Sequence, residues 1–266
     1  MGSTGDDGLH FEEAGDTAAG DVLLLVHAFP FSSAMWRPQL TEPPQGWRVI
    51  APDLRGYGGS PPIRDEQLTM DAAADDLARL LTRLGVKKAV VCGLSLGGYV
   101  TFGMLRRHPA QVRAVLLCDT RAAPDTPDAG RGRLEAAARI RTHGTNAFME
   151  SMLPKLLSPI TRRRRPELVE EVASMMAAAP AESVAATLHG LALRPDSTPL
   201  LRSIVIPARI IVGEDDEITP PSEAQLMARG IPGARIETVS DAGHLPNLEN
   251  PQVFNSLLGS FLAVLR

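Results

Sequence analysis

Cysteine and net charge are both scarce in this 266-residue chain. Its only two cysteines, Cys92 and Cys118, lie inside apolar runs and have no metal-ligand partner at a useful spacing. We therefore interpret both as small core residues, and this usage is typical of a reducing compartment. The formal net charge is −4, so no overall basic field is available to attract nucleic acid or an anionic membrane.

Long hydrophobic runs are also missing. The longest, Val22–Phe31, is too short to span a bilayer and contains His27. The polar, glycine-rich start has no charged segment followed by an apolar one, so we expect no signal peptide and a cytoplasmic protein. The basic run Arg162–Arg165 is short and is followed by Pro166, which favours a solvated loop or helix start over a binding patch.

Short apolar runs alternate with helix-length segments along the chain. This order predicts an α/β fold, with a mostly parallel, doubly wound sheet around one large core. The predicted strands are Val22–His27, Arg48–Asp53, Lys88–Leu94, Ala114–Cys118, Ala208–Val212 and Ile236–Val239. The predicted helices are Thr69–Leu84, Leu96–His108, Ser222–Arg229 and Pro251–Leu265.

The alternation stops between about residues 121 and 195, where only helical spacing and scattered prolines occur. We predict an inserted helical cap there. The core would then be made of residues 1–120 and 196–266, with residues 121–195 as the cap. Ligands of open α/β sheets bind outside the carboxyl ends of the strands, which is the side from which this insertion leaves. An apolar group in the cap, Phe148, Met149 and Met152, either lines a ligand pocket or packs within the cap.

The segment Gly93–Gly98 carries the clearest chemical signal. It reads G-L-S-L-G-G, follows an apolar strand and opens a helix, which is the context required of a nucleophile elbow. Glycines two residues on either side of Ser95 let neighbouring segments pass the sharp turn. We therefore predict that Ser95 is a nucleophile, with its hydroxyl above the positive end of a helix.

A serine nucleophile needs a base and a carboxylate. His244 follows the last predicted strand, at the same sheet edge as Ser95, and is our candidate base. Asp216, three residues after the strand-ending Gly213, is the preferred acid. Asp215 and Asp119 remain alternatives that spacing does not exclude.

Two backbone amides would complete the site as an oxyanion hole. One is the N–H of Leu96, directly after the nucleophile. The other comes from the loop after the first predicted strand, where Phe29 is the candidate donor and Pro30 stiffens the turn. His27 in this loop is expected to form structural hydrogen bonds rather than to act as a second base.

Together these segments resemble the α/β-hydrolase superfamily, in particular small bacterial carboxylesterases near the 3-oxoadipate enol-lactonases and cofactor-free haloperoxidases. The resemblance rests on His27–Pro30, Asp53–Ser60, Gly93–Gly98, Gly213–Pro220 and Asp241–Pro246. The stretch Leu116–Arg121, followed by Pro124 and Asp125, resembles one subset of those carboxylesterases in particular. It implies the α/β-hydrolase fold, with Ser95, Asp216 and His244 as the catalytic triad and Phe29 and Leu96 as oxyanion donors. It also implies no metal and no cofactor. The chain departs from the family pattern at Ala28, where glycine is usual. Only about twenty residues precede Val22, so we expect the family's N-terminal hairpin to be short or incomplete.

The resemblance and the residues together predict a carboxylesterase that forms an acyl-enzyme with small, short-chain esters. Enol-lactone hydrolysis, perhydrolysis and hydrolysis of a carbon–carbon bond in a dione would use the same triad. A ligand-sensing protein on this fold is an alternative of another class. We expect a small-molecule ester as the partner, no nucleic acid or membrane, and a monomer or small homo-oligomer.

Overall fold

Seven strands form one sheet in the computed structural model, which describes residues 8–266. They are β1 (Phe11–Gly15), β2 (Val22–Val26), β3 (Arg48–Pro52), β4 (Ala89–Leu94), β5 (Val112–Cys118), β6 (Ala208–Gly213) and β7 (Arg235–Val239). Their order is β1-β3-β2-β4-β5-β6-β7, and only β1 is antiparallel to its neighbour. The predicted mostly parallel sheet is confirmed. Residues 1–7, the first part of the polar start from which we expect no signal peptide, lie outside the described residues.

Burial explains why the central strands show no polar alternation. Every residue of β2, β4 and β6 is buried, because helices cover both faces of a parallel sheet. The edge strand β1 is different, since three of its five residues are exposed. It pairs with β3 from Phe11 opposite Pro52 to Gly15 opposite Arg48. No strand range was predicted before Val22, only a hairpin that is short or incomplete, and the structure has this single antiparallel strand there.

Helices cover the sheet and fill the long interval between β5 and β6. They are α1 (Arg37–Thr41), α2 (Met70–Arg83), α3 (Leu96–Arg107), α4 (Pro127–His143), α5 (Asn146–Leu156), α6 (Pro159–Arg164), α7 (Pro166–Ala177), α8 (Ala181–Ala192), α9 (Pro221–Gly230), α10 (Pro246–Glu249) and α11 (Pro251–Ala263). Short 3₁₀ segments occur at Ser33–Trp36, Pro109–Gln111 and Thr198–Ser203. The four helices predicted outside the cap match α2, α3, α9 and α11 to within two residues at each end, the usual uncertainty of helix ends. Among the helices of residues 8–266, none has the length and apolarity needed to cross a membrane.

Helices α4–α8 form the insertion, which we call the cap. The chain enters and leaves the cap at one place, because the Ser197 N–H donates to the Ala122 carbonyl at 2.9 Å. A buried ion pair of 2.7 Å between Arg194 and Asp125 lies beside this junction. Since the cap leaves from the carboxyl end of β5, its helices face the loops that follow the strands. The predicted interval 121–195 contains all five cap helices.

Candidate active site

Ser95 stands alone between the last residue of β4 and the first residue of α3. Its backbone has φ 54° and ψ −110°, a left-handed conformation that is costly for a residue with a side chain. Two hydrogen bonds fix the turn: the Ser95 N–H donates to the Cys118 carbonyl, and the Thr120 hydroxyl donates to the Ser95 carbonyl, both at 2.9 Å. The surroundings thus hold a strained serine at the start of a twelve-residue helix.

The glycines of the elbow are required by close approach of backbone segments. A Cβ atom at Gly97 would overlap the Val26 carbonyl oxygen and lie 3.1 Å from that of His27. A Cβ atom at Gly93 would overlap the Gly97 carbonyl oxygen. These contacts show that the start of α3 packs directly against the end of β2, so the elbow and the loop after β2 are neighbours.

His244 and Asp216 meet as a buried pair. The His244 Nδ1 atom lies 3.0 Å from Asp216 Oδ1 and 2.9 Å from Asp216 Oδ2. The side chain of His244 is 2% exposed and that of Asp216 is fully buried. A carboxylate in this position fixes the imidazole with its proton on Nδ1, which leaves Nε2 free to accept a proton.

The loop after β6 holds Asp216 as an ionised acceptor. Its Oδ1 accepts the N–H groups of Ile218 and Thr219 at 2.8 and 3.0 Å, and its Oδ2 accepts the Thr219 hydroxyl at 2.6 Å. Burial acts to raise the pKa of Asp216, but His244 and Thr219 outweigh it and hold the pKa below its ordinary value. The alternative acid Asp215 is exposed.

Asp119 directly follows β5 and lies close to the same pair. One of its carboxylate oxygens accepts the Gly213 N–H at 2.8 Å, while the other is buried and has no hydrogen-bond partner among residues 8–266. Burial and the nearby Asp216 raise the pKa of Asp119 well above its ordinary value. Asp119 is therefore a buried neighbour of the pair, and Asp216 is the carboxylate that binds the imidazole.

These three side chains are also the one cluster in residues 8–266 with metal-ligand spacing. Asp119, Asp216 and His244 place one ligand atom each within 4.8 Å of the others. A cation would have to displace the hydrogen bonds between His244 Nδ1 and Asp216. The ligand atoms of Asp216 and His244 are therefore already engaged in hydrogen bonds with each other.

The two predicted oxyanion donors belong to the two segments that pack against each other, one to the elbow and the other to the loop after β2. Leu96 is the first residue of α3, and Phe29 follows the end of β2 by three residues. In the described part of the chain, neither amide donates a hydrogen bond to another group. Both are thus free to bind a negatively charged oxygen at a helix start.

His27 has the structural role expected of it. Its Nε2 accepts the Leu54 N–H and its Nδ1 donates to the Ala28 carbonyl, both at 2.9 Å. Burial lowers the pKa of His27, and one ring nitrogen donates while the other accepts, so the imidazole is neutral. It holds the loop after β2 in place and has no nitrogen left for proton transfer.

Two residues near the pair were missed by the sequence analysis. The Thr219 hydroxyl supports Asp216, and a serine or threonine just after an aspartate in a turn was the available signal. Glu249 is buried and accepts the N–H of Gly243 at 2.7 Å, next to His244. No spacing rule points to Glu249, because its contacts depend on how the loop before α10 folds.

The arrangement supplies the groups for nucleophilic attack by an activated serine. Ser95, Asp216 and His244 follow β4, β6 and β7, at the carboxyl edge of the parallel sheet. Within residues 8–266 the Ser95 hydroxyl has no hydrogen bond to His244. Such bonds are often long in unliganded sites and shorten when a substrate binds.

The cap closes over this edge. The ring of Phe148 on α5 lies edge-on to that of Phe29, with 6.1 Å between the centroids. The His244 N–H donates to the Leu156 carbonyl at the end of α5. Of the apolar cap group, Phe148 thus contacts Phe29 in the loop after β2, whereas Met149 is buried within the cap.

Comparison with known proteins gives consistent matches along the chain. Residues 21–251 match the family described as the alpha/beta hydrolase fold. An esterase from Thermogutta terrifontis, solved with malate bound, is 43% identical, with a TM-score of 0.93 and coverage of 97% of this chain and 93% of that one. The enol-lactonase of Burkholderia xenovorans is 26% identical, with a TM-score of 0.88 over 96% of both chains. RutD of Caulobacter vibrioides, provisionally named a carbamate hydrolase, is 30% identical over 96% of each sequence.

Proposed function

This chain belongs to the α/β-hydrolase family, and on that premise we propose that it is a carboxylesterase acting on small, short-chain esters. Ser95 is the proposed nucleophile, His244 the base and Asp216 the acid. The backbone N–H groups of Phe29 and Leu96 are the proposed oxyanion donors. The proposed partner of the site is a small-molecule ester.

One observation carries the proposal: the buried hydrogen bonds between His244 Nδ1 and both Asp216 oxygens, at 3.0 and 2.9 Å. This pair lies at the same sheet edge as a serine held at positive φ. A buried imidazole with an ionised carboxylate on one nitrogen is suited to remove a proton with the other. Strain at Ser95 supports the same interpretation, since such strain concentrates at functional sites.

The proposed reaction is a two-step acyl transfer. The Ser95 oxygen attacks the ester carbonyl while His244 Nε2 takes the hydroxyl proton, and the carbonyl oxygen becomes an oxyanion bound by the two amides. His244 then returns the proton to the departing alkoxide, which leaves as the alcohol. Water, deprotonated by the same nitrogen, cleaves the acyl-enzyme, and Ser95 recovers its proton. Asp216 stays ionised and balances the charge of the imidazolium.

The enclosure of the site supports the proposed preference for small substrates. His244 is almost fully buried, Phe29 is 6% exposed, and Phe148 covers the oxyanion loop from the cap. A long acyl chain would have to separate these aromatic side chains. The esterase of 43% identity gives the ester class its strongest support among the relatives.

Hydrolysis of a p-nitrophenyl ester series from acetate to laurate tests the proposal, using the wild type and Ser95→Ala. We expect the wild type to cleave the shortest esters fastest, and Ser95→Ala to lower kcat by about 10³-fold or more. The exposed Ser151→Ala on α5 is the matched control. Equal rates in wild type and Ser95→Ala would remove Ser95 as the nucleophile.

Enol-lactone hydrolysis is the second candidate, favoured by the enol-lactonase that matches 96% of this chain. It uses the same attack on an acyl carbon, so Ser95→Ala would abolish it as well. An enol-lactone added to the substrate series separates the two. A kcat/KM for the lactone above that for every simple ester would select the second candidate.

A further inference from the structure

The triad acid orients the ring of His244, but the backbone of His244 is held by a different carboxylate. We propose that Glu249 is a positioning residue for His244, fixing the backbone on both sides of the base and joining it to the cap. This inference rests on the proposed function, because it assigns Glu249 a role in the activation of Ser95.

Both carboxylate oxygens of Glu249 accept hydrogen bonds from backbone amides. Its Oε1 accepts the Gly243 N–H at 2.7 Å and lies 3.4 Å from the Leu245 nitrogen. Its Oε2 accepts the Ser158 N–H, between α5 and α6, at 2.7 Å. One oxygen therefore contacts the residues on either side of His244, and the other contacts the cap.

Further hydrogen bonds join the same two segments. The His244 N–H donates to the Leu156 carbonyl, and the Ser158 hydroxyl donates to the Asp241 carbonyl, both at 3.0 Å. A Cβ atom at Gly243 would lie 2.7 Å from the Ser158 nitrogen, so only glycine allows this approach. Residues 156–158 and 241–245 thus form one hydrogen-bonded unit with Glu249 at its centre.

A cap residue also fixes the backbone of Glu249. Arg165, between α6 and α7, donates to the Glu249 carbonyl at 2.8 Å and to the Leu248 carbonyl at 3.3 Å. The carboxylate and the backbone of Glu249 are therefore both held by the cap. The orientation of the carboxylate toward Gly243 does not depend on the solvent, since Glu249 is only 7% exposed.

The chemistry of these contacts requires a carboxylate. Both oxygens face N–H groups, and only an ionised carboxylate offers acceptors on both sides. Glutamine at this position would turn one acceptor into a donor facing either Gly243 or Ser158. Because the group is buried, water is not at hand to satisfy the orphaned amide, and the loop has to shift.

A shift of the loop would act on catalysis through His244. Displacement of a reacting group by about 1 Å can cost about 10²-fold in rate. The Glu249→Gln variant is therefore expected to lower kcat by about 10- to 100-fold, with KM changed by less than about threefold. Loss of the ester pocket would raise KM instead.

The experiment titrates Ser95 with a phosphonate that releases p-nitrophenol, in wild type, Glu249→Gln and Glu249→Asp. The burst amplitude counts competent sites, and the burst rate constant reports the activation of Ser95. We expect both variants to keep an amplitude near one per folded chain. The rate constant should fall most in Glu249→Gln and less in Glu249→Asp, which keeps both acceptors on a shorter side chain. The exposed Glu170→Gln on α7 is the matched control.

The outcomes separate a positioning role from a structural one. A rate constant per titrated site within twofold of wild type in both variants, even with a lower Tm, would overturn the proposal. If Glu249→Gln does not fold, the rate constant of Glu249→Asp decides alone. Absence of a burst in the wild type would instead refute the proposed function, and with it the assignment to Glu249.

Discussion

Replacement of Asp216 by asparagine tests the site most directly, because the surrounding loop dictates how the new amide must lie. Oδ1 of Asp216 accepts N–H groups from Ile218 and Thr219. Only the oxygen of an asparagine amide can take that place, so its nitrogen must occupy the Oδ2 position, 2.9 Å from His244 Nδ1. The amide then donates a hydrogen where Asp216 accepts one.

The consequence for His244 is a change of tautomer. Nδ1 would then lie 2.9 Å from the new donor and 3.0 Å from the remaining acceptor oxygen. The donor at the shorter distance favours Nδ1 as an acceptor with the imidazole proton on Nε2, and that tautomer can no longer take the proton of Ser95. The same substitution in a Ser-His-Asp triad lowers kcat by about 10⁴. We therefore expect a loss of about 10⁴ in kcat, equivalent to about 5 kcal/mol of transition-state stabilisation. Packing should change little, since the two side chains have the same shape.

The assay is p-nitrophenyl acetate hydrolysis at neutral pH, with near-ultraviolet circular dichroism as the check of folding. Asp215→Asn is the matched control, because that neighbouring carboxylate is exposed, and its kcat should stay within about twofold of wild type. Asp119→Asn tests the other alternative acid. A kcat of Asp216→Asn within tenfold of wild type would refute the tautomer argument. A loss of about 10⁴ in kcat in Asp119→Asn alone would instead identify Asp119, which follows β5, as the acid.

Three further predictions concern stability. Helix propensity favours alanine over glycine, so Gly132→Ala on α4, where a Cβ atom meets nothing, should stabilise the fold by about 0.4–1 kcal/mol. Gly97→Ala should instead destabilise the fold by about 1–3 kcal/mol and lower kcat, because its Cβ atom overlaps the Val26 carbonyl. Changes of the same sign in the free energy of unfolding of the two variants, measured with urea, would contradict this. Burial acts to raise the pKa of Asp53, but hydrogen bonds such as the 2.7 Å one from the Ser33 N–H hold it below its ordinary value. The charged form therefore stabilises the fold above the unfolded pKa, and that contribution is lost as the pH falls through the lowered folded pKa. Asp53→Asn should cost about 1–3 kcal/mol at neutral pH and less below about pH 4, whereas a gap that stays constant in urea titrations across this range would refute the assignment.

The sequence was sufficient to predict the parallel strands because burial on both faces leaves an unbroken apolar run. It was also sufficient for the turn at Ser95, since a glycine-flanked serine between a strand and a helix is typical of a nucleophile elbow. Strand β1 was not predicted because an exposed edge strand does not need an unbroken apolar run. It pairs with β3, whose residues are adjacent in the sheet but distant in the sequence.

The choice of acid could not be made from spacing. Asp119, Asp215 and Asp216 all follow strands that end at one edge of the sheet, and each was within reach of His244. The difference arises from the direction of backbone amides in the loop after β6, which point at Asp216. Glu249 was hidden for a related reason, because its partners are amides of residues with no chemical signature of their own.

The hydrogen bond between Ser197 and Ala122 gives the cap a narrow base. Because the chain departs and returns at one point, the sheet and its loops need only accommodate that base, whatever helices stand above it. Insertions are tolerated where their two ends meet. Evolution could thus exchange or enlarge the cap while inheriting the reacting groups unchanged, provided that each new cap again supplied a partner for the loop around His244. The history of substrate preference in such a protein would then be recorded in residues 121–195, and the history of its chemistry in the remainder of the chain.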